Sequence, residues 1–179
     1  MSRREIRVTG YGGQGVIMTG YIFGKAAAIH DDKHSTMTQS FGPEARGSAC
    51  ASALVIDEQV IAYPYLRETD VLVALSREGY EKYRDELNDD GGILIYDQDM
   101  VEPGDLPAGV QAYGVPAARI AEDLGKRIVQ NIVVVGFTTA ATGLVSRESA
   151  LEAVKTSVPE AMVDLNIQAF ERGYEHYQA

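Results

Sequence analysis

The sequence predicts an α/β protein: an open, Rossmann-like, mostly parallel sheet with helices on both faces and one antiparallel excursion. Three observations carry that expectation. Short apolar runs alternate along the chain with longer segments of helical periodicity. Two of the runs, Val71-Leu72-Val73-Ala74-Leu75 and Ile93-Leu94-Ile95-Tyr96, are continuous, as in strands covered on both faces. The first apolar strand runs directly into Gly10-Tyr11-Gly12-Gly13-Gln14-Gly15, a glycine-packed junction between strand and helix.

After that junction, residues 16–29 carry Ile17, Ile22, Phe23, Ala26 and Ala27, with Gly20 and Gly24 on one helical face, so this helix can lie close on a sheet. Residues 33–39 read as a short polar strand in which Thr36 and Thr38 alternate with Met37. Ser40-Phe41-Gly42-Pro43-Glu44-Ala45-Arg46-Gly47-Ser48 reads as an ordered loop with special backbone angles. Residues 49–56 are a third strand, Asp57-Glu58-Gln59 a turn, and residues 60–63 a further strand, the two runs forming an antiparallel pair. Residues 71–75 are a central strand, residues 78–87 a charged amphipathic helix stopped by Gly91-Gly92, and residues 93–97 the next buried strand. A linker at 103–107 precedes a last strand at 110–115, and Pro116 suits the first position of a helix through residue 124.

Residues 128–142 are apolar nearly all round, with Asn131 as the main polar residue, which predicts a buried helix. Exposed in the isolated chain, it would form a partner surface or the seam of a homodimer. Ser146-Arg147-Glu148-Ser149 gives a capping-box-like start to a helix over 150–157. A final helix runs from Pro159 through residue 177, with Leu165, Ala169, Phe170 and Tyr174 on one face. The length of 179 residues fits a single domain over 1–179.

Sixteen basic against twenty-six acidic side chains leave a net charge of -10. That balance argues against sequence-independent nucleic-acid binding and against docking on an anionic membrane, and it makes an acidic electron carrier a poor direct partner. No stretch reaches the roughly 18 uncharged apolar residues of a membrane span, and Met1-Ser2-Arg3-Arg4-Glu5 leads into a strand instead of a signal-peptide core, so a cytoplasmic protein is expected. Cys50 is the only cysteine, which excludes an intrachain disulfide and an iron-sulfur cluster held by this chain alone, since a cluster takes about four thiolates. His30, His34 and His176 form no zinc-type spacing and are read as surface residues.

Gly10, Gly12 and Gly15 satisfy G-x-G-x-x-G, whose glycines permit a tight turn, a close backbone approach to a ligand and close packing of helix on strand. The helix that follows points unpaired N–H groups and the positive end of its dipole at the same spot, which suits a phosphate or carboxylate. A βα turn needs glycines with or without a ligand, so the motif alone leaves both readings open. A dinucleotide site asks for an acidic residue about 20 positions on, at the end of the second strand, where this chain has Thr38-Gln39-Ser40. Asp31 and Asp32 precede that strand, and no Lys-Ser or Lys-Thr follows the last glycine as a P-loop requires.

In an open sheet, ligands collect at the carboxyl ends of the strands. Those ends gather the glycine turn, residues 39–48 and Ser76-Arg77. Arg46 and Arg77 are candidate contacts for an anion, with Glu44 holding Arg46 in place; a Glu44–Arg46 pair that only stabilises its loop is the alternative. The sequence has no nucleophile elbow, no histidine paired with Cys50 and no metal-ligand spacing, so a subunit is more economical than a self-sufficient enzyme.

Four stretches taken together, Gly10-Tyr11-Gly12-Gly13-Gln14-Gly15-Val16, Ser40-Phe41-Gly42-Pro43-Glu44-Ala45-Arg46-Gly47, Asn131 in its apolar helix, and Asn166 with Ala169-Phe170 and Gly173, resemble the gamma subunit of 2-oxoacid:ferredoxin oxidoreductases. The resemblance spans nearly the whole chain in the right order, and Ser48, where the family often has a second glycine, is a departure. It implies a complex that oxidatively decarboxylates a 2-oxoacid with coenzyme A to acyl-CoA, carbon dioxide and reduced ferredoxin. It further implies thiamine diphosphate and magnesium between alpha and beta subunits, iron-sulfur clusters in the beta and ferredoxin-like delta parts, and an isolated gamma chain that is inactive, with no catalytic residue or cofactor of its own. Gly12, Gly13, Gln14, Gly15, Glu44, Arg46 and Gly47 are then the candidates for a cofactor-binding or interface surface that closes over the site where coenzyme A approaches. Arg46-Gly47-Ser48-Ala49-Cys50 with Tyr63-Pro64 looks more like the 2-oxoglutarate class than the pyruvate or branched-chain classes. Two rival readings are a nucleotide-binding regulatory module without a catalytic partner and a stand-alone NAD-dependent oxidoreductase, the latter weakened by the missing ribose acid.

Overall fold

The computed structural model describes residues 3–41 and 49–178. Its strands are β1 (Arg4–Tyr11), β2 (His34–Ser40), β3 (Ala49–Asp57), β4 (Val71–Ala74), β5 (Asp90–Asp97) and β6 (Gly109–Val115). Its α-helices are α1 (Val16–Lys25), α2 (Arg77–Tyr83), α3 (Ala117–Asp123), α4 (Gln130–Thr142), α5 (Arg147–Lys155) and α6 (Val163–Gln178). The strands form one sheet in the order β2-β3-β1-β4-β5-β6. β1, β4, β5 and β6 run parallel, and β3 lies antiparallel to both of its neighbours. The open, mostly parallel sheet with one reversed strand is therefore as the sequence predicts.

The partner of that reversed strand differs from expectation. Residues 60–63 form no strand, because both hydrogen-bonding edges of β3 are already in use: Leu54 pairs with Ile6 of β1 on one side and with Met37 of β2 on the other. Residues 60–63 instead belong to a loop in which Val60 is 79% exposed. The Arg3 guanidinium pins this loop by donating to the carbonyls of Tyr63 at 3.3 Å and Tyr65 at 2.9 Å, and Pro64 between them has no N–H to give to a ladder.

One sheet face, with Ile6, Val8, Leu54, Val71, Val73 and Ile95, packs against α1, α3, α4, α5 and α6. The other carries α2, whose Tyr80 and Tyr83 cover Leu72, Ala74 and Leu94. Burying one such aliphatic side chain contributes roughly 1.5–3 kcal/mol, so the thicker face carries most of the stability. Within it, every residue of α4 from 131 to 139 is buried. The chain's own α6 covers this helix, since Gly136 faces the Phe170 carbonyl and Gly173 faces the Val133 carbonyl without room for a side chain. The expected partner surface or homodimer seam along 128–142 is thus filled from within. The helix begins at Gln130 after a 3-10 turn at Arg127–Val129, and Ile128 in that turn stays 73% exposed.

The remaining boundaries shift slightly. α1 passes into a π-helical turn over Ala26–His30, with the Asp31 amide reaching back to the Ala26 carbonyl at 3.0 Å. Pro116 caps α3 from just outside its first turn. Ser146 caps α5 by accepting from the Ser149 amide at 3.1 Å, as the capping pattern predicts. All three histidines are exposed.

Candidate functional site

The carboxyl ends of the parallel strands share one rim of the sheet. β1 ends there at Tyr11, paired with Ala49, and β2 ends there at Ser40, paired with Ala51. The chain between Ser40 and Ala49 therefore leaves and re-enters the sheet at the rim that carries the glycine turn. Glu44, Arg46 and Gly47 themselves lie outside the described residues.

The turn is closed by the Gln14 amide donating to the Tyr11 carbonyl at 3.1 Å. Gly13 and Gly15 have φ of 101° and 74°, a left-handed backbone that side-chain-bearing residues adopt only with strain. Gly12 and Gly13 are exposed at its tip. Gln14 turns inward: its Oε1 accepts from the Tyr11 amide at 2.6 Å and its Nε2 donates to the Leu75 carbonyl at 2.8 Å. Gly15 is the N-cap of α1, and no side chain caps that helix. The first helical bond runs from the Thr19 amide to the Gly15 carbonyl at 2.9 Å, so the N–H groups of Val16, Ile17 and Met18 lack intrahelical acceptors.

The first turn of α4 packs against this end of α1. α4 also starts without a side-chain cap, and its first turn holds Asn131. A Cβ built on Gly15 would lie 2.6 Å from the Cβ and Cγ of Asn131. Neither helix has an acidic residue in its first turn. Asn131 is 7% exposed, and its side-chain amide makes no hydrogen bond to another described residue. The open N-terminus of α1 and the Asn131 side-chain amide, which has no hydrogen-bond partner among the described residues, thus meet at one point, and the dipole of α1 there favours a carboxylate or phosphate; α4 itself continues from the 3-10 turn, whose Arg127 carbonyl accepts from the Gln130 amide. The sequence marks Asn131 as the odd polar residue of an apolar helix but does not reveal that it abuts Gly15.

The other groups near the rim contribute less. Arg77 reaches the rim, but its exposed guanidinium donates to Glu81 at 2.7 Å on its own helix, and this hydrogen bond, with the charge behind it, raises its pKa. Asp97, at the end of β5, is 3% exposed; burial pushes its carboxyl pKa up, against the Asp99 amide at 3.0 Å and the charges of Arg127 and Arg119. Burial likewise pushes the Cys50 thiol up, the opposite of what a nucleophilic cysteine needs. The dinucleotide reading loses its geometry as well, because β3 separates β1 from β2, whose end would have to hold a ribose. Among the described residues, no cluster of histidine, cysteine and acidic side chains is placed to hold a metal ion, and no helix is long and apolar enough to cross a membrane.

The family model described as pyruvate ferredoxin/flavodoxin oxidoreductase matches residues 5–176. The chain belongs to this family. It is 44% identical over 175 residues to the 2-oxoglutarate synthase subunit KorC of Methanocaldococcus jannaschii, covering 97% of this chain and 93% of that protein. Among solved structures, the gamma subunit of a keto/oxoacid ferredoxin oxidoreductase from Geobacter sulfurreducens superposes with a TM-score of 0.84 at 41% identity, over 98% of each chain. The 2-oxoglutarate:ferredoxin oxidoreductase of Magnetococcus marinus, solved with 2-oxoglutarate, coenzyme A and succinyl-CoA bound, superposes at 0.89 over 99% of this chain and 31% of that one; at 24% identity the likeness is one of fold. Within the family the chain is a gamma subunit of a 2-oxoacid:ferredoxin oxidoreductase, one component of a multisubunit oxidoreductase. The alternative of a regulatory module without a catalytic partner finds no support.

Proposed function

We propose that the complex containing this subunit acts on 2-oxoglutarate and that the glycine turn holds the anionic end of coenzyme A. The carrying observation is the open N-terminus of α1 at the glycine turn, set against the Asn131 amide, which has no hydrogen-bond partner among the described residues, a place that favours an anion in a chain of net charge -10. The reaction would turn 2-oxoglutarate and coenzyme A into succinyl-CoA and carbon dioxide, with the electrons passing to ferredoxin. The 44% identity to KorC supports that substrate, and the bound coenzyme A of the Magnetococcus enzyme supports the ligand.

In this reading the N–H groups at Gly12, Gly13 and Gly15 and the first turn of α1 receive the phosphates. Gln14 shapes the turn, and Glu44, Arg46 and Gly47 close the site from the neighbouring loop. Thiamine diphosphate with magnesium would supply the decarboxylation from the alpha and beta subunits. The iron-sulfur clusters would lie in the beta and delta parts, in keeping with the single cysteine of this chain. The subunit would then work in the cytoplasm, apart from nucleic acid and membrane, and reach ferredoxin only through the complex.

The test is anaerobic recovery of the complex through this chain, followed by coenzyme A-dependent reduction of a viologen dye with a panel of 2-oxoacids. Fastest turnover with 2-oxoglutarate is expected, and preference for pyruvate or a branched-chain oxoacid would overturn the substrate. Gly13→Asp, which brings a negative charge to the tip at φ 101°, and Arg46→Ala should each raise the KM for coenzyme A about tenfold, equivalent to about 1.4 kcal/mol. Unaltered oxoacid and coenzyme A kinetics in both variants would remove the turn from the site.

A further inference from the structure

The β1–β4 ladder is interrupted at its carboxyl end, and the interruption is filled by a side chain. Thr9 and Ala74 are in register, and the Leu75 amide donates to the Thr9 carbonyl at 2.8 Å. In an evenly spaced parallel ladder the next rung would run from the Tyr11 amide to the Leu75 carbonyl. Instead the Tyr11 amide donates to Gln14 Oε1 at 2.6 Å, and Gln14 Nε2 donates to the Leu75 carbonyl at 2.8 Å. The side-chain amide stands in for the missing rung, presenting an acceptor to one strand and a donor to the other. The strands part without leaving either backbone group unpaired. Gly10 makes the space, since a Cβ there would come within 2.6 Å of Gln14 Oε1.

We infer that Gln14 is a positioning residue whose amide, spliced between β1 and β4, sets the opening of the crevice beneath the glycine turn. The inference rests on the reading that this turn holds the anionic end of coenzyme A. With the inward bonding positions taken by Gln14, the turn's remaining N–H groups are left for a ligand. Without the amide, Tyr11 and Leu75 can close the rung directly, drawing the turn toward β4 and narrowing the approach to α1 and Asn131. Only a primary amide or a protonated carboxyl offers a donor and an acceptor on one short planar end; a carboxylate only accepts and would face the Leu75 carbonyl with lone pairs against lone pairs.

That asymmetry gives the test, made on the assembled complex carrying Gln14→Glu, with the KM for coenzyme A followed from about pH 6 to about pH 8. Confinement beside a carbonyl should move the introduced carboxyl's titration into this range. The expected result is a KM near the wild-type value at the acidic end and about tenfold higher at the basic end, with a much smaller change in kcat at saturating coenzyme A. Wild-type complex at the same pH values accounts for the titratable groups of the elements around the turn: Tyr11 on β1, Cys50 on β3, Arg77 on α2 and Arg127 ahead of α4. Gln14→Met, of similar length but without donor or acceptor, should raise KM at every pH. Amide exchange over residues 9–16, read by mass spectrometry relative to wild type, should accelerate in Gln14→Met at all pH values and in Gln14→Glu only at the basic end.

A Gln14→Glu complex with wild-type KM throughout overturns the inference, as does one whose KM rises and kcat falls together independently of pH, or one that fails to assemble at neutral pH. If Gly13→Asp raises KM while the Gln14 variants do not, the coenzyme A reading stands and the splint falls. If none of the three shifts KM, the reading of the turn fails and the splint with it.

Discussion

Asp31 and Asp97 show how one residue type is driven in opposite directions by its surroundings. Burial works against a charged Asp31, yet hydrogen bonds from Ser149 and Ser146, the latter through its amide at 2.9 Å, and the charge of Lys33 outweigh it and hold the carboxyl below its usual range. With the folded pKa below the unfolded value of about 3.9, its contribution is complete above that value and is lost as pH falls through the folded pKa. Asp97 has the reverse sign: its folded pKa is raised, so the charged form is penalised, and stability declines as pH rises from the unfolded toward the folded value. Asp31→Asn should therefore lower stability by about 1 kcal/mol at neutral pH and by progressively less in acid. Asp97→Asn keeps an acceptor for the Asp99 amide and should be at least as stable as wild type at neutral pH. Urea midpoints at neutral and acidic pH decide both, and a neutral-pH loss in Asp97→Asn with none in Asp31→Asn would reverse the assignments. Neither aspartate announces its environment in the sequence, because the groups that set it come from remote segments. Asn131 was half legible: its polarity among Ile132, Val133, Val134 and Val135 marks it as unusual, but the Gly15 that faces it is visible only once α1 and α4 are packed.

At the scale of elements, the crossing of α4 and α6 is where sequence economy meets tight geometry. Gly136 and Gly173 each face a backbone carbonyl of the opposite helix, those of Phe170 and Val133, and neither carbonyl can yield as the end of a flexible side chain would. Gly136→Ala or Gly173→Ala should each cost about 3 kcal/mol, within the usual range for overpacking, and the double variant should cost less than the sum because one separation of the helices relieves both. Thermal melts of the singles and the double test this, and a single variant as stable as wild type would mean that the helices are not this closely seated. Most elements were legible because their periodicities are long: the continuous strands at 71–75 and 93–97 and the apolar helix near 128–142 reappear with small boundary shifts. The strand expected at 60–63 was not, because a short apolar run carries no information about whether the edge it would join is free. The π-helical end of α1 has no local signature either, since its alanines fit an α-helix equally well.

For the whole molecule, the rim of the sheet gathers the elements from which the proposed site is built. Strand direction puts the glycine turn, the end of β2, the start of β3 and the start of α2 on the same side, and this convergence could be read from the order of strands and helices alone. What could not be read was the inward role of Gln14, since the glycine motif draws attention to its outward-facing backbone. The strand order also bears on synthesis. β1 is made first yet ends up in the middle, between β3 and β4, which are made later. The Gln14 amide and its acceptor on Leu75 are 61 residues apart in the chain. A nascent chain therefore carries the glycine motif long before Gln14 can bridge the two strands, because the Leu75 carbonyl is in place only once β4 has left the ribosome and docked.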